Sequence, residues 1–482
     1  MNYKMISYYI GRILLVEGIL LIFPAIGAVF YGDNTVTAFA LTIAALAVIS
    51  LIAIKQKPQK TNIYAKDGYA IVALSWILMS FFGALPFVIS RYIPNFVDAF
   101  FETVSGFTTT GSTILTNVEA LPKSLLFWRS FTHWIGGMGI LVFVIAIMPK
   151  TESNSMHVMR AEVPGPTVGK LVSKLRATAR ILYGIYCVLT AAEIIILFAG
   201  GMPLFDSIVN SFATAGTGGF GILSNSIEGY NSIYSEMVIA VFMLVFGVNF
   251  NLYYMFLIKQ GKQAIKSEEL RWYIGIVVAA VVVIAVSLIN ADNGIADSFR
   301  LSFFQVASII TTTGFSTANF DTWPVIAKFV LVLLMFIGAC AGSTGGGIKV
   351  SRLIILVKSG FRDIKKAINP RSVETVKVDR RTVEEPVVKS VSVFFATYML
   401  VAAVSMFIVA LDGNDLVTTS TAVISCVGNI GPGLGEVGPY GNFADFSILS
   451  KLVLCFDMLA GRLELIPMLM LFSPYAWARK YS

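Results

Sequence analysis

Four short segments rich in Gly and Thr, each set between long apolar runs, constrain this chain more than any other feature. They are Thr108-Thr109-Thr110-Gly111-Ser112-Thr113, Gly216-Thr217-Gly218-Gly219-Phe220-Gly221, Thr311-Thr312-Thr313-Gly314-Phe315-Ser316-Thr317 and Gly428-Asn429-Ile430-Gly431-Pro432-Gly433. Aligned on Gly111, Gly219, Gly314 and Gly431, they define a unit of roughly a hundred residues. Copies one and three agree beyond the motif: Phe100-Phe101-Glu102 parallels Phe303-Phe304-Gln305, and Ser105 parallels Ser308. Each unit reads as a spanning helix, a half-length segment, the Gly motif and a second spanning helix.

The solvent for these units is lipid. Hydrophobic residues make up 56% of the chain and charged residues 13%, with a mean hydropathy of +0.78, which excludes an ordinary soluble domain. Apolar runs long enough to cross a bilayer cover residues 6–30, 35–54, 69–90, 125–148, 181–200, 232–258, 272–290, 323–357, 390–411 and 446–472. The expected fold is an all-α membrane protein with four pseudo-equivalent helix–pore-loop–helix repeats around one pore, plus two extra N-terminal transmembrane helices. The expected division is 1–60 for the leading helices, then 61–150, 151–262, 263–370 and 371–482 for the repeats. A cleaved signal peptide is not expected, because the first run is long and a second span follows at once.

Charge gives the orientation. Lys150, Arg160, Lys170, Lys174, Arg176 and Arg180 cluster in one loop, Lys259, Lys262, Lys266 and Arg271 in a second, and eleven Lys/Arg in residues 349–389. No Lys or Arg occurs in residues 181–258 or 390–450. Positive loops stay in the cytoplasm, so these stretches, residues 55–66 and both termini are expected there. The net charge of +8 follows from this bias and calls for no nucleic-acid partner. The opposite side carries Asp98, Glu102, Glu119, Asp206, Glu228, Asp292, Asp297, Asp412, Asp415 and Glu436, a set that raises local cation concentration.

The half-length segments, 96–107, 204–215, 297–310 and 415–427, begin beside Asn95 and Asp98, Asp206, Asp297, and Asn414 and Asp415, residues expected as N-caps. Short helices entering from outside would aim their partly negative C-terminal ends at the membrane centre. Irregular backbone at that depth is tolerated only where protein buries it or it lines a water-filled path. Rings of backbone carbonyls replace the hydration shell of an alkali cation, so the expected ligand set for potassium is Thr109, Thr110, Gly111 and Ser112; Thr217, Gly218, Gly219 and Phe220; Thr312, Thr313, Gly314 and Phe315; and Gly428, Asn429, Ile430 and Gly431. The units are not identical, since the fourth has Asn429-Ile430 where the others have Thr or Gly, so few equivalent ion sites and a modest potassium preference are expected.

A second Gly-rich stretch is different in kind. Gly338-Ala339-Cys340-Ala341-Gly342-Ser343-Thr344-Gly345-Gly346-Gly347 carries five glycines in ten residues within an apolar run, and should unwind the helix below the motif. It is no phosphate loop: Ile348 separates Gly347 from Lys349, and no Lys-Ser/Thr pair follows. Arg462 lies in the last apolar run, where a charge is costly and functional by default; pairing with Glu464 or Asp457 is the structural alternative. Cys187, Cys340, Cys426 and Cys455 have no paired spacing and read as packing residues. Of the two histidines, His133 and His157, the first reads as a packing residue. Asn249 and Asn251 face either a helix neighbour or the pore, and Glu17 and Glu193 are carboxylates buried in apolar runs. There is no nucleophile elbow, paired-Cys motif or metal signature, so no enzyme and no organic cofactor is expected.

Taken together, the four motifs and residues 338–352, ending Gly347-Ile348-Lys349-Val350-Ser351-Arg352, resemble over the full length the membrane-subunit family of bacterial Trk-type potassium uptake systems, within the superfamily that includes KtrB and plant HKT proteins. The resemblance implies a homodimer with one pore per subunit, in the bacterial inner membrane, and a cytosolic nucleotide-binding regulatory subunit of TrkA type. It makes residues 338–347 a gate loop that obstructs the pore, makes Arg462 a positive barrier below the filter, and associates glycine at all four aligned positions with potassium selectivity. The alternative is a secondary transporter coupling potassium to sodium or protons, for which the usual inverted repeats are not seen.

Overall fold

In a bilayer every backbone N–H and C=O must find a partner within the protein, which leaves helices as the spanning element for a chain like this. The computed structural model describes residues 2–56, 65–139, 175–291 and 294–477. Over these residues the regular structure is helical apart from one small antiparallel hairpin, Lys377–Val378 paired with Arg381–Thr382, and an isolated parallel bridge between Ile337 and Ile348. Six helices among the described residues are long and apolar enough to cross a membrane, or seven if one sharply bent pair is one span.

Helices α1 (Tyr3–Leu20) and α2 (Ile22–Tyr31) form the first span, and α3 (Val36–Lys55) returns beside α1. The first unit follows with α4 (Ala65–Ile89), the half-length α5 (Phe96–Phe107) and α6 (Lys123–Gly137). The rest of the run expected over 125–148 lies outside the described residues, as do Lys150, His157, Arg160, Lys170 and Lys174. The second unit comprises α7 (Leu175–Ala199), α8 (Leu204–Gly216), α9 (Ile233–Phe246) and α10 (Phe250–Leu257), with α11 (Gly261–Ile265) leading on. The third comprises α12 (Glu268–Ile289), α13 (Ile295–Ile310), α14 (Val325–Phe336) and α15 (Val350–Ile368). In the fourth are α16 (Glu385–Val409), α17 (Leu416–Gly428), α18 (Ile448–Arg462) and α19 (Ile466–Leu471).

Exposed apolar side chains mark the lipid face. Val278, Val282 and Val286 run along α12, and Leu400, Val404 and Phe407 along α16, at helical spacing. Patches of this size on a soluble protein would drive association; against acyl chains they are at rest. The opposite faces pack around α5, α8, α13 and α17, with Trp76, Phe87, Phe101, Phe107 and Trp128 completely enclosed in the first unit.

Three expectations need correction here. The run 232–258 is not one helix, because α9 and α10 meet at 88° around Gly247, Val248 and Asn249. Likewise 446–472 breaks after Arg462, where Glu464 and Leu465 adopt positive φ of 57° and 67°. Only two of the short helices carry the expected acidic or amide cap. Asn95 accepts the Val97 N–H at 2.9 Å, and Asp415 accepts the N–H groups of Val417 and Thr418. The Thr418 side chain and those N–H groups hold the Asp415 carboxyl below the usual aspartate range. Asp206 and Asp297 instead lie in the first turns of helices capped by Pro203 and Gly294, where they still favour the positive helix end.

Candidate functional site

All four half-length helices stop in the same way. Thr110, Gly218, Thr313 and Ile430 each donate their N–H to the carbonyl five residues back (Ser105, Ala213, Ser308 and Ser425) at 2.8–2.9 Å. The residue before each donates three back, to Gly106, Thr214, Ile309 and Cys426. That pair of bonds is a Schellman termination, which normally places glycine in the left-handed position. Here the position is filled by Thr109, Thr217, Thr312 and Asn429, at φ of 57°, 55°, 57° and 56°. Threonine there is strained by about 1–3 kcal/mol, so surrounding contacts must enforce the geometry. Two residues on, Gly111, Gly219, Gly314 and Gly431 have φ of 84°, 76°, 85° and 104°.

These terminations adjoin one another in a closed order. A Cβ on Gly111 would overlap the Gly218 carbonyl, one on Gly219 the Thr313 carbonyl, and one on Gly314 the Ile430 carbonyl. A Cβ on Gly431 would lie 2.8 Å from the Thr110 carbonyl oxygen, returning to the first unit. Each aligned glycine therefore abuts the peptide oxygen just before the glycine of the next unit. Both its dihedral and its neighbour exclude a side chain. A cavity of about 80 Å³ opens onto this arrangement and is lined by all four glycines together with Ser112, Arg129, Ser316 and Pro432. Gly428, expected among the ligands, is the last helical residue of α17, one turn position before the left-handed Asn429.

Behind the first two segments lies a buried polar network. Arg129 on α6 pairs with Glu102 on α5 at 2.7 Å, with side chains 2% and 0% exposed. Glu102 also accepts the Ile114 N–H at 3.0 Å and the Thr113 hydroxyl, and Arg129 donates to the Gly221 carbonyl. Glu102 thus belongs to the support of the first segment and not to the exterior acidic set. Asp98 likewise pairs with Lys451 at 2.7 Å. The Phe220 ring contacts the Arg129 guanidinium, 4.0 Å from the ring centre, and the His133 ring at 4.2 Å.

Directly beneath is the segment 338–347. Its ends are zipped together by the Gly338 N–H to the Ile348 carbonyl (2.8 Å) and the Val350 N–H to the Ala339 carbonyl (3.2 Å). It touches the four-segment ring in two places: the Gly346 N–H donates to the Thr312 hydroxyl at 2.7 Å, and a Cβ on Gly346 would lie 2.6 Å from the Gly428 carbonyl oxygen. The hydroxyls of Ser343 and Thr344 donate to the carbonyls of Cys340 and Phe246. On the far side the Phe250 N–H donates to Gly342 and the Cys340 N–H to Gly247, so the loop docks in the bend between α9 and α10. Asn249 caps α10 by accepting the Asn251 N–H, and its amide faces Gly342.

Arg462 ties the loop to the first unit. Its guanidinium donates to the Thr344 carbonyl at 2.8 Å and to the carbonyls of Gly136 and Gly137 at 2.5 and 2.7 Å. Glu464 holds Arg352 in a two-pronged pair. Two residues that sequence reasoning passed over also fix the loop. Glu269 accepts the N–H groups of Ala341 and Ser351 at 2.7 and 3.1 Å, and buried Lys349 donates to the carbonyls of Gly345 and Gly346. Their signal was present: an acid opening an apolar helix and a lysine ending a glycine run both need partners at membrane depth.

Comparison with known proteins identifies the family. The family model TrkH, described as a cation transport protein, matches residues 33–479. The Trk system potassium uptake protein TrkH of Salmonella typhimurium is 36% identical over 99% of this chain and 100% of its own. TrkG of Escherichia coli, named likewise as a Trk system potassium uptake protein, is 32% identical over 98% of each. A crystal structure of the potassium transporter TrkH from Vibrio parahaemolyticus matches with a TM-score of 0.89 at 34% identity, covering 99% of this chain and 100% of that one. The chain belongs to the TrkH family of cation transport proteins.

Proposed function

We propose that this chain is the potassium-selective, ion-translocating subunit of a Trk-type uptake system in a bacterial inner membrane. The filter is formed by residues 109–112, 217–220, 312–315 and 428–431. One observation carries the reading: around four segments, each aligned glycine lies against the next segment's peptide oxygen and the order closes on itself. Such oxygens can replace the water shell of a monovalent cation, and four helix C-termini add partial negative charge at the same depth. The potassium uptake names of the relatives agree with it.

Residues 338–347 act as the gate, lying against Thr312 and Gly428 and moving aside for conduction. Arg462 supplies a fixed positive charge beneath the filter. Potassium is cargo, and no organic cofactor takes part in this chain. Flux follows the potassium gradient and the membrane potential, with about 2.3 kcal/mol per charge per 100 mV. The functional assembly is a homodimer in the lipid bilayer with a TrkA-like cytosolic nucleotide-binding subunit, which docks on the basic stretch 361–389; nucleic acid has no part. Both termini are cytoplasmic, and the units divide at residues 60, 150, 262 and 370.

The test is uptake of rubidium, sodium and lithium into vesicles carrying the purified chain, with Gly314→Ser beside it. The expected outcome is rubidium uptake above sodium and lithium, and a narrowed margin in Gly314→Ser. Equal uptake of all three ions by the unmodified chain rejects the filter.

Coupled transport is the second reading, and one observation favours it. Glu17 and Glu193 are buried; the Glu17 carboxylate has no hydrogen-bond partner, and that of Glu193 has only the Thr214 hydroxyl beside it. A reversal potential that follows potassium alone, at any pH or sodium concentration, excludes coupling.

A further inference from the structure

His133 is completely buried on α6, and each of its ring nitrogens meets the backbone of a different filter unit. Nδ1 lies 2.7 Å from the Gly106 carbonyl oxygen, at the end of α5. Nε2 accepts the Phe220 N–H at 3.3 Å, in the second segment. A carbonyl can only accept and an N–H can only donate, so the ring is neutral with its proton on Nδ1. The imidazole also fills a specific volume: a Cβ on Gly218 would overlap the ring atoms of His133.

That overlap accounts for a departure among the four segments. The residue before the aligned glycine is Thr110, Thr313 and Ile430 in three units and Gly218 in the second. Thr110 and Thr313 support their own segments through bonds to Thr108 and Thr311. In the second unit this space belongs to His133. We infer that His133 is a positioning residue of the filter: it stands in for the side chain that Gly218 lacks and, by bonding Gly106 and Phe220, fixes the second segment against the first. The inference rests on the filter reading above and adds a specificity role for a residue away from the ring itself.

The experiment uses vesicles carrying the full chain and compares sodium with rubidium uptake. His133→Ala should raise the sodium-to-rubidium ratio about three- to tenfold, the span set by losing an ordinary net hydrogen bond. His133→Asn and His133→Gln each keep one of the two bonding positions and should shift the ratio less. Gly218→Thr alone should shift it as His133→Ala does, because the threonine meets the ring. The pair His133→Ala with Gly218→Thr should bring the ratio back toward that of the unmodified chain, a rescue that general destabilisation would not give. An unchanged ratio in His133→Ala, or no recovery in the pair, overturns the role. If alanine-bearing chains do not fold, unchanged ratios in both the Asn and Gln variants overturn it. A ¹⁵N spectrum of the His157→Gln chain, whose one histidine is His133, should show a neutral ring protonated on Nδ1; any other form also overturns it. Absence of rubidium uptake by the unmodified chain would instead defeat the filter reading.

Discussion

Glu102 illustrates how a single residue takes its role from packing. Its carboxylate holds Arg129, the Thr113 hydroxyl and the Ile114 N–H, and the two charged side chains are themselves buried. Removing one partner of a buried ion pair leaves a desolvated charge and costs about 3–5 kcal/mol. Glu102→Ala should therefore lower the thermal midpoint of the detergent-solubilised protein sharply, by strand loss around Thr113 first. Glu102→Gln should fall between, because an amide fits this site of the fold: Gln305 stands at the matching place in the third unit. An unaltered midpoint in Glu102→Ala would show that the pair carries no stability. In one dimension Glu102 looked like part of an acidic exterior because Asp98 is its neighbour. Its correspondence with Gln305, inside a segment that matches along its length, was the better guide.

At the scale of elements, the half-length helices were legible almost to the residue, because polar or helix-breaking residues stand near each start and a glycine motif follows each end. Of the breaks in the longer helices, the glycine run 338–347 announced the one between α14 and α15, but two others gave no such signal. Apolar runs continue straight through Gly247 and Leu463, and hydropathy does not register a change of backbone direction. What bends α9 from α10 is docking of the 338–347 loop on Gly247 and Phe250, a contact far away in sequence. The same loop is held from below by Arg462 through Thr344, Gly136 and Gly137. Hydrogen bonds from a charged donor are worth about 1.5–3 kcal/mol, so losing them shifts a closed loop toward open by about one to two orders of magnitude. On the proposed function, Arg462→Gln also removes the fixed positive charge beneath the filter. Rubidium uptake per reconstituted protein should rise at least several-fold; a folded Arg462→Gln chain with unchanged or slower uptake would refute both the latch and the barrier.

Over the whole molecule, the asymmetry of charge and the repeat of the glycine motif set the architecture before any contact is considered. The ring itself was foreseeable only as a possibility of number and spacing; its closure depends on which carbonyl each glycine meets, and that is decided by packing of α5, α8, α13 and α17. Orientation follows from charge alone and is open to direct test. Arg371, Lys377, Arg380 and Arg381 are all exposed around the small hairpin between α15 and α16. Asp379 and Arg380 adopt positive φ there, and although Asp379 exchanges hydrogen bonds with Glu268 at the start of α12, Arg380 and Arg381 stay exposed. Lys and Arg are retained on the cytoplasmic side, so this turn is expected inside the cell. Trypsin added to inside-out vesicles should cut the chain near residue 380, while intact right-side-out vesicles should protect that turn. Cleavage in the right-side-out preparation would invert the topology, send the short helices in from the cytoplasm, and turn the 338–347 loop toward the outer face.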